Sequence, residues 1–109
     1  MDVKNVFDSR KFSPEKLAKT SLFQNARFFC DVYGVGPGQE QKPHSHEDSD
    51  KLYYVVEGVG LFRVAGETRE VGTGNVVHCP AGVEHAVKND SGGTLTLLVL
   101  MAPHPDFRG

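Results

Sequence analysis

The chain has 109 residues, 39% of them hydrophobic, which suffices for one ordinary core and argues against general disorder. Twelve Lys and Arg against 14 Asp and Glu leave a formal charge of −2, so nothing electrostatic points to nucleic acid or an anionic membrane as partner. Met1 to Lys19 lacks the apolar region of a signal peptide, and two cysteines cannot build a disulfide framework, so the expectation is one domain over residues 1–109 in the reducing cytoplasm.

Helix signals come early. Ser13 suits a cap, Pro14 the first helical position and Glu15 the positive end of a helix, so Pro14 to Lys19 is predicted to form a turn or two. From Phe28 onward, glycines and prolines punctuate short apolar runs. Phe28 to Val35 reads as a strand, and Gly36, Pro37 and Gly38 turn it. Gln39, Glu40 and Gln41 then read as a solvated loop. Leu52 to Val56, Leu61 to Val64, Thr68 to Val71 and Val76 to Cys79 follow as strands between glycine turns. Glu84 to Lys88 is a short strand and Thr94 to Met101 the last long one; the longest apolar run, Leu95 to Ala102, is far too short to cross a bilayer. Pro103 to Gly109 reads as a tail that frays or docks on a partner subunit. With no helical period between the strands, the pattern favours an all-β barrel or sandwich. Phe28, Phe62, Leu97 and Val99 are expected in its core.

Histidines carry the chemistry. His44 and His46 stand one residue apart, and in a strand an i, i+2 pair projects to one face, where both imidazoles reach one divalent ion. Such a pair alone also occurs on exposed loops. His85, placed after the turn Pro80, Ala81, Gly82, adds a third imidazole. Three histidines with further coordination positions open is the pattern of a catalytic metal site rather than a closed structural one.

Two spacings resemble a known family. Gly38, five residues, His44, Ser45, His46, four residues, Lys51, six residues, Gly58 is similar to the first cupin motif, over about 38–58. Gly74, five residues, Pro80, Ala81, Gly82, two residues, His85, three residues, Asn89 is similar to the second, over about 74–89. The resemblance implies a cupin domain: a double-stranded β-helix, or jelly-roll barrel. It further implies a divalent metal in the lumen (iron, manganese, nickel, copper or zinc) and frequent homodimers. It leaves function open, because cupins include dioxygenases, isomerases, decarboxylases and non-catalytic binding modules.

Lys51 stands where the family pattern has a Glu ligand. Three readings compete. Asp50 supplies the carboxylate, against the strand alternation that turns Asp50 and Lys51 to opposite faces unless the segment bulges. Alternatively the metal keeps only His44, His46 and His85, and Lys51 holds a substrate's anionic group. Lastly, no metal binds, and Lys51 with the histidines recognises an anionic small molecule. We favour the second, then the first; a plain alternative has Lys51 snorkelling to solvent. Tyr53 shares parity with Lys51 and is a candidate cavity-lining hydrogen-bond donor, whereas Tyr54 is read as packing. His78 reads as an exposed or internally satisfied histidine, and Cys30 and Cys79 as free thiols acting as small apolar side chains. The functional expectation is a metal-dependent enzyme acting on a small, carboxylate-bearing molecule, with a non-catalytic ligand- or metal-sensing module as the alternative.

Overall fold

A computed structural model describes residues 1–108. One short helix, α1 (Val6–Ser9), precedes nine strands: β1 (Ala18–Asn25), β2 (Phe28–Val35), β3 (Glu40–His44), β4 (Asp50–Glu57), β5 (Val59–Val64), β6 (Glu67–Gly72), β7 (Val76–Cys79), β8 (His85–Lys88) and β9 (Leu95–Ala102). They form two antiparallel sheets, ordered β1-β2-β9-β4-β7 and β3-β8-β5-β6. The chain crosses between the sheets at β2 to β3, β3 to β4, β4 to β5, β6 to β7, β7 to β8 and β8 to β9, which is the double-stranded β-helix implied by the two motifs.

Alternation of side chains sorts each strand into a face toward the lumen and a face toward the outside. On β4 and β9 the inward residues are Lys51, Tyr53 and Val55, and Leu95, Leu97, Val99 and Met101, all buried. Of these, Tyr53, Val55, Leu95, Leu97 and Val99 join Tyr33, Val35, Phe62, Cys79 and Val87 in a continuous core between the sheets. Each fully buried Val, Leu or Phe there stabilises the fold by roughly 1.5–3 kcal/mol. Phe62, Leu97 and Val99 belong to this core as expected, but Phe28 is only half-buried and outside it. Tyr54 is not a packing residue either, since it faces outward from β4 and is 39% exposed.

The N-terminal region corrects the sequence reading. Helix forms at Val6–Ser9, where Asn5 Oδ1 accepts from the amides of Phe7 and Asp8, and not at Pro14 to Lys19. Ser13 Oγ does accept from the Glu15 amide, but Leu17 packs on the core and Ala18 opens β1, so the turn goes no further. The arm before it crosses the outer face of the larger sheet. A Cβ on Gly34 would lie 1.9 Å from the Lys11 carbonyl oxygen, so only glycine admits that crossing. Arg10 anchors the arm by donating to Glu57 Oε1 at 2.8 Å and Thr96 Oγ1 at 2.9 Å. The tail docks on its own chain: Ser49 Oγ donates to the Pro103 carbonyl, and the His104 ring packs edge-on against Phe29.

Two motif residues are explained by packing alone. Gly58 has a φ of +99°, and a Cβ there would lie 2.4 Å from the Thr94 carbonyl oxygen. Asn89 is fully buried; its Nδ2 donates to the Val35 and Gly93 carbonyls while its Oδ1 accepts from Ser91. It closes the β8–β9 turn and ties it to β2.

Candidate metal centre and ligand cavity

Backbone pairing brings the two motifs together. Strands β3 and β8 are antiparallel, with Glu40 opposite Lys88, Gln41 opposite Val87, a bulge, and then His44 opposite His85. His46 lies just past β3, and its carbonyl accepts from the Gly82 amide at 2.8 Å, which clamps it to the turn of the second motif. Ring centroids of His44 and His85 are 4.2 Å apart, and those of His44 and His46 5.2 Å. One nitrogen from each of the three rings falls within 4.8 Å of the others.

Tautomers follow from the acceptors. His44 Nδ1 lies 2.7 Å from the Lys42 carbonyl and His85 Nδ1 3.0 Å from that of Val83. A carbonyl only accepts, so each Nδ1 carries the proton and each Nε2 presents a lone pair. Backbone carbonyls that orient a ligating imidazole in this way are a recurrent feature of metal sites. His85 is 3% exposed, and its Nε2 is buried without any hydrogen-bond partner among the described residues. An orphaned, buried lone pair is costly unless something accepts it. Burial lowers all three histidine pKa values, that of His44 to about 4, and the Lys51 ammonium lowers each further. The rings are therefore neutral at physiological pH. The donor set fits a divalent ion.

Lys51 does not snorkel to solvent. It is 1% exposed, with Nζ 3.1 Å from Gln41 Oε1, 3.4 Å from His44 Nε2 and 4.8 Å from the centroid of the Tyr53 ring. Burial, then the charge of Lys19, pulls its pKa down from 10.5 to about 7. Among the described residues, no carboxylate lies within ion-pair distance of it.

Sequence reasoning missed Gln41. It belongs to β3 rather than to a solvated loop, and its Oε1 accepts from Lys51 Nζ and, at 2.5 Å, from Tyr53 Oη. Tyr53 thus spends its hydroxyl on Gln41 and holds that amide in place. Asp50 is not brought to the histidines. It faces outward from β4, where its carboxylate accepts from the Ala81 amide at 2.9 Å and pairs with His78 at 3.2 Å. Regular alternation with Lys51 is the reason, for β4 is not bulged at this point.

A cavity of about 570 Å³ opens on the site. Gln41, His44 and His46 line one side, and Lys19, Asp31, Tyr33 and Lys51 line the inner face of the larger sheet opposite. Its volume suits a small ligand. A second cavity of about 560 Å³ at the other open edge is lined by Phe62, Val71, Val77 and Val83, with none of the three histidines. Glu67, Glu70 and His78 also line it, but among the described residues only His44, His46 and His85 form a cluster that could hold a metal, so the chemistry belongs to the first.

The profile of the cupin domain matches residues 32–101, a span that holds both motifs and all three histidines. The chain belongs to the cupin family. A crystal structure from Thermus thermophilus superimposes on this cupin with a TM-score of 0.93 at 42% identity, covering 96% of this chain and 100% of that one. A double-stranded β-helix protein from Klebsiella pneumoniae superimposes with a TM-score of 0.90 at 17% identity, covering 99% and 96%, which shows the shared fold. Among curated proteins, an oxalate-binding protein of Thermotoga maritima is 27% identical over 85 residues, 78% of this chain and 69% of its own. The aligned segments span 63%, 69% and 57% of three curated relatives, so those relatives extend beyond the matched region. No helix among the described residues is long and apolar enough to cross a membrane.

Proposed function

We propose that this cupin holds a divalent metal ion on His44, His46 and His85 and takes up a small molecule bearing a carboxylate, as a metal-dependent enzyme of the dioxygenase, isomerase or decarboxylase type. The buried, unpartnered Nε2 of His85 beside the two other imidazoles is the observation that carries the metal. When bound, a divalent ion would supply Lewis-acid polarisation to a ligand oxygen. The chain's own part is to bind and orient. Lys51, buried at the cavity wall with no carboxylate partner, receives the anionic group, and the Gln41–Tyr53 hydrogen bond fixes the lysine's position. Two free thiols suit the reducing cytoplasm, and the exposed Tyr54, Val76 and Leu100 offer a second copy an apolar outer face.

A non-catalytic binding module is the second reading. Lys51 in place of an acidic ligand favours it, as does the name of the Thermotoga relative. Calorimetric titration of oxalate into zinc-loaded protein tests the common part. Wild type is expected to bind, and Lys51→Met to bind at least about 10-fold more weakly, as loss of a charge-assisted contact requires. Equal affinity in the two proteins would remove Lys51 from the ligand site. Formate release from oxalate under iron or manganese loading would separate turnover from capture.

A further inference from the structure

We propose that the ligand is a small acid carrying a hydrogen-bond donor, amino or hydroxyl, a few bonds from its carboxylate, and that Asp31 receives that donor. This inference rests on the reading that Lys51, beside an ion held by the three histidines, receives the carboxylate.

Asp31 lies on the same inner sheet face as Lys51. Strand β9 runs between them, with Asp31 opposite Val99 and Lys51 opposite Met101. Two strand spacings separate the backbones by roughly 10 Å, and the lysine side chain crosses part of that gap. Its Nζ sits 5.6 Å from the ring centroid of Tyr33, which lies two residues beyond Asp31 on the same face. Both side chains line the one cavity. They do not meet, since no ion pair forms between them within 4.0 Å.

Each charge is therefore left for a ligand to satisfy. For hydrogen bonds Lys51 has only the neutral oxygen of Gln41 and the lone pair of His44, which the proposed ion would take. Asp31 is half-buried, and no described side chain forms an ion pair with its carboxylate. Lys19 also lines this wall, but its ammonium sits 5.2 Å from the Tyr33 ring centroid and makes no ion pair with Asp31. Burial raises the Asp31 pKa despite Lys19, His104 and Lys51, which marks a carboxylate short of stabilising donors. The arrangement also discriminates. A second carboxylate at that end of a ligand would face Asp31 and be repelled, whereas a hydroxyl or ammonium would be held.

Three acids of one skeleton test this: propionate, 3-hydroxypropionate and 3-aminopropionate, titrated calorimetrically into the zinc-loaded full chain. The two donor-bearing acids are expected to bind at least about 10-fold more tightly than propionate. Asp31→Ala should erase that difference without weakening propionate. Asp31→Asn, nearly isosteric and half-exposed, should retain a preference for 3-hydroxypropionate and lose that for 3-aminopropionate. Equal binding of all three acids to wild type, with Lys51→Met weakening each, would overturn the role of Asp31 and leave the carboxylate site standing. Failure of wild type to bind any of them would overturn both.

Discussion

Lys51→Met is expected to make the metal-free protein more stable, while weakening the binding of small carboxylates to the zinc-loaded protein at least about 10-fold. A fully buried ammonium whose only hydrogen-bond partners are an amide oxygen and an imidazole, with the Tyr33 and Tyr53 rings beside it, has given up most of its hydration for little return. Methionine fills a similar volume without a charge and so removes a desolvation penalty of about 1–3 kcal/mol. Gln41 is not orphaned by the change, because Tyr53 still donates to it. The pH dependence gives the cause away. The folded-state pKa, about 7, lies below the unfolded value of 10.5, so between these limits the unfolded chain binds the extra proton. Wild-type stability therefore rises with pH across that window and is lost as pH falls toward 7. The advantage of Lys51→Met should be largest below pH 7 and vanish above about 10.5. Thermal melts of chelator-treated protein across this range check it; an advantage independent of pH would mean that the lysine is solvated.

His85→Ala is expected to cost more than about 100-fold in affinity for a divalent ion, beyond what loss of a supporting hydrogen bond alone costs. The effect is large because His44 and His46 come from one segment and His85 from another, so removing it leaves two donors and opens the ligand shell. Folding should survive. The His85 ring leaves an unpaired buried nitrogen, so its removal relieves one cost while creating a small cavity. Competition with a chromophoric chelator gives the affinity, and far-ultraviolet circular dichroism reports the fold. An unchanged metal affinity in the folded variant would place the ion elsewhere.

Strands from β4 onward were legible because glycines and prolines bound apolar runs whose alternate residues reach the core. Strands β1 and β3 were not, and for one shared reason. Their inward positions face the ligand cavity instead of the core, so Lys19, Ser21, Gln41 and His44 stand where an apolar residue would have signalled a strand. The histidine cluster could be read because two spacings fixed it, and the outward turn of Asp50 because β-strand alternation requires it. Burial of Lys51 could not. It depends on a hydrogen bond that Lys51 donates to a side chain ten residues earlier, on the opposite sheet, which no local pattern encodes. Asp31 escaped notice likewise, since a single acid within Phe28–Val35 carries no spacing signal.

The most direct test is the metal K-edge X-ray absorption spectrum of the protein loaded with one equivalent of zinc. Three imidazole nitrogens at about 2.0–2.1 Å, with the remaining positions filled by water or added acid, is the predicted shell. A shell built from carboxylate or thiolate, or one holding fewer than three imidazoles, would contradict it.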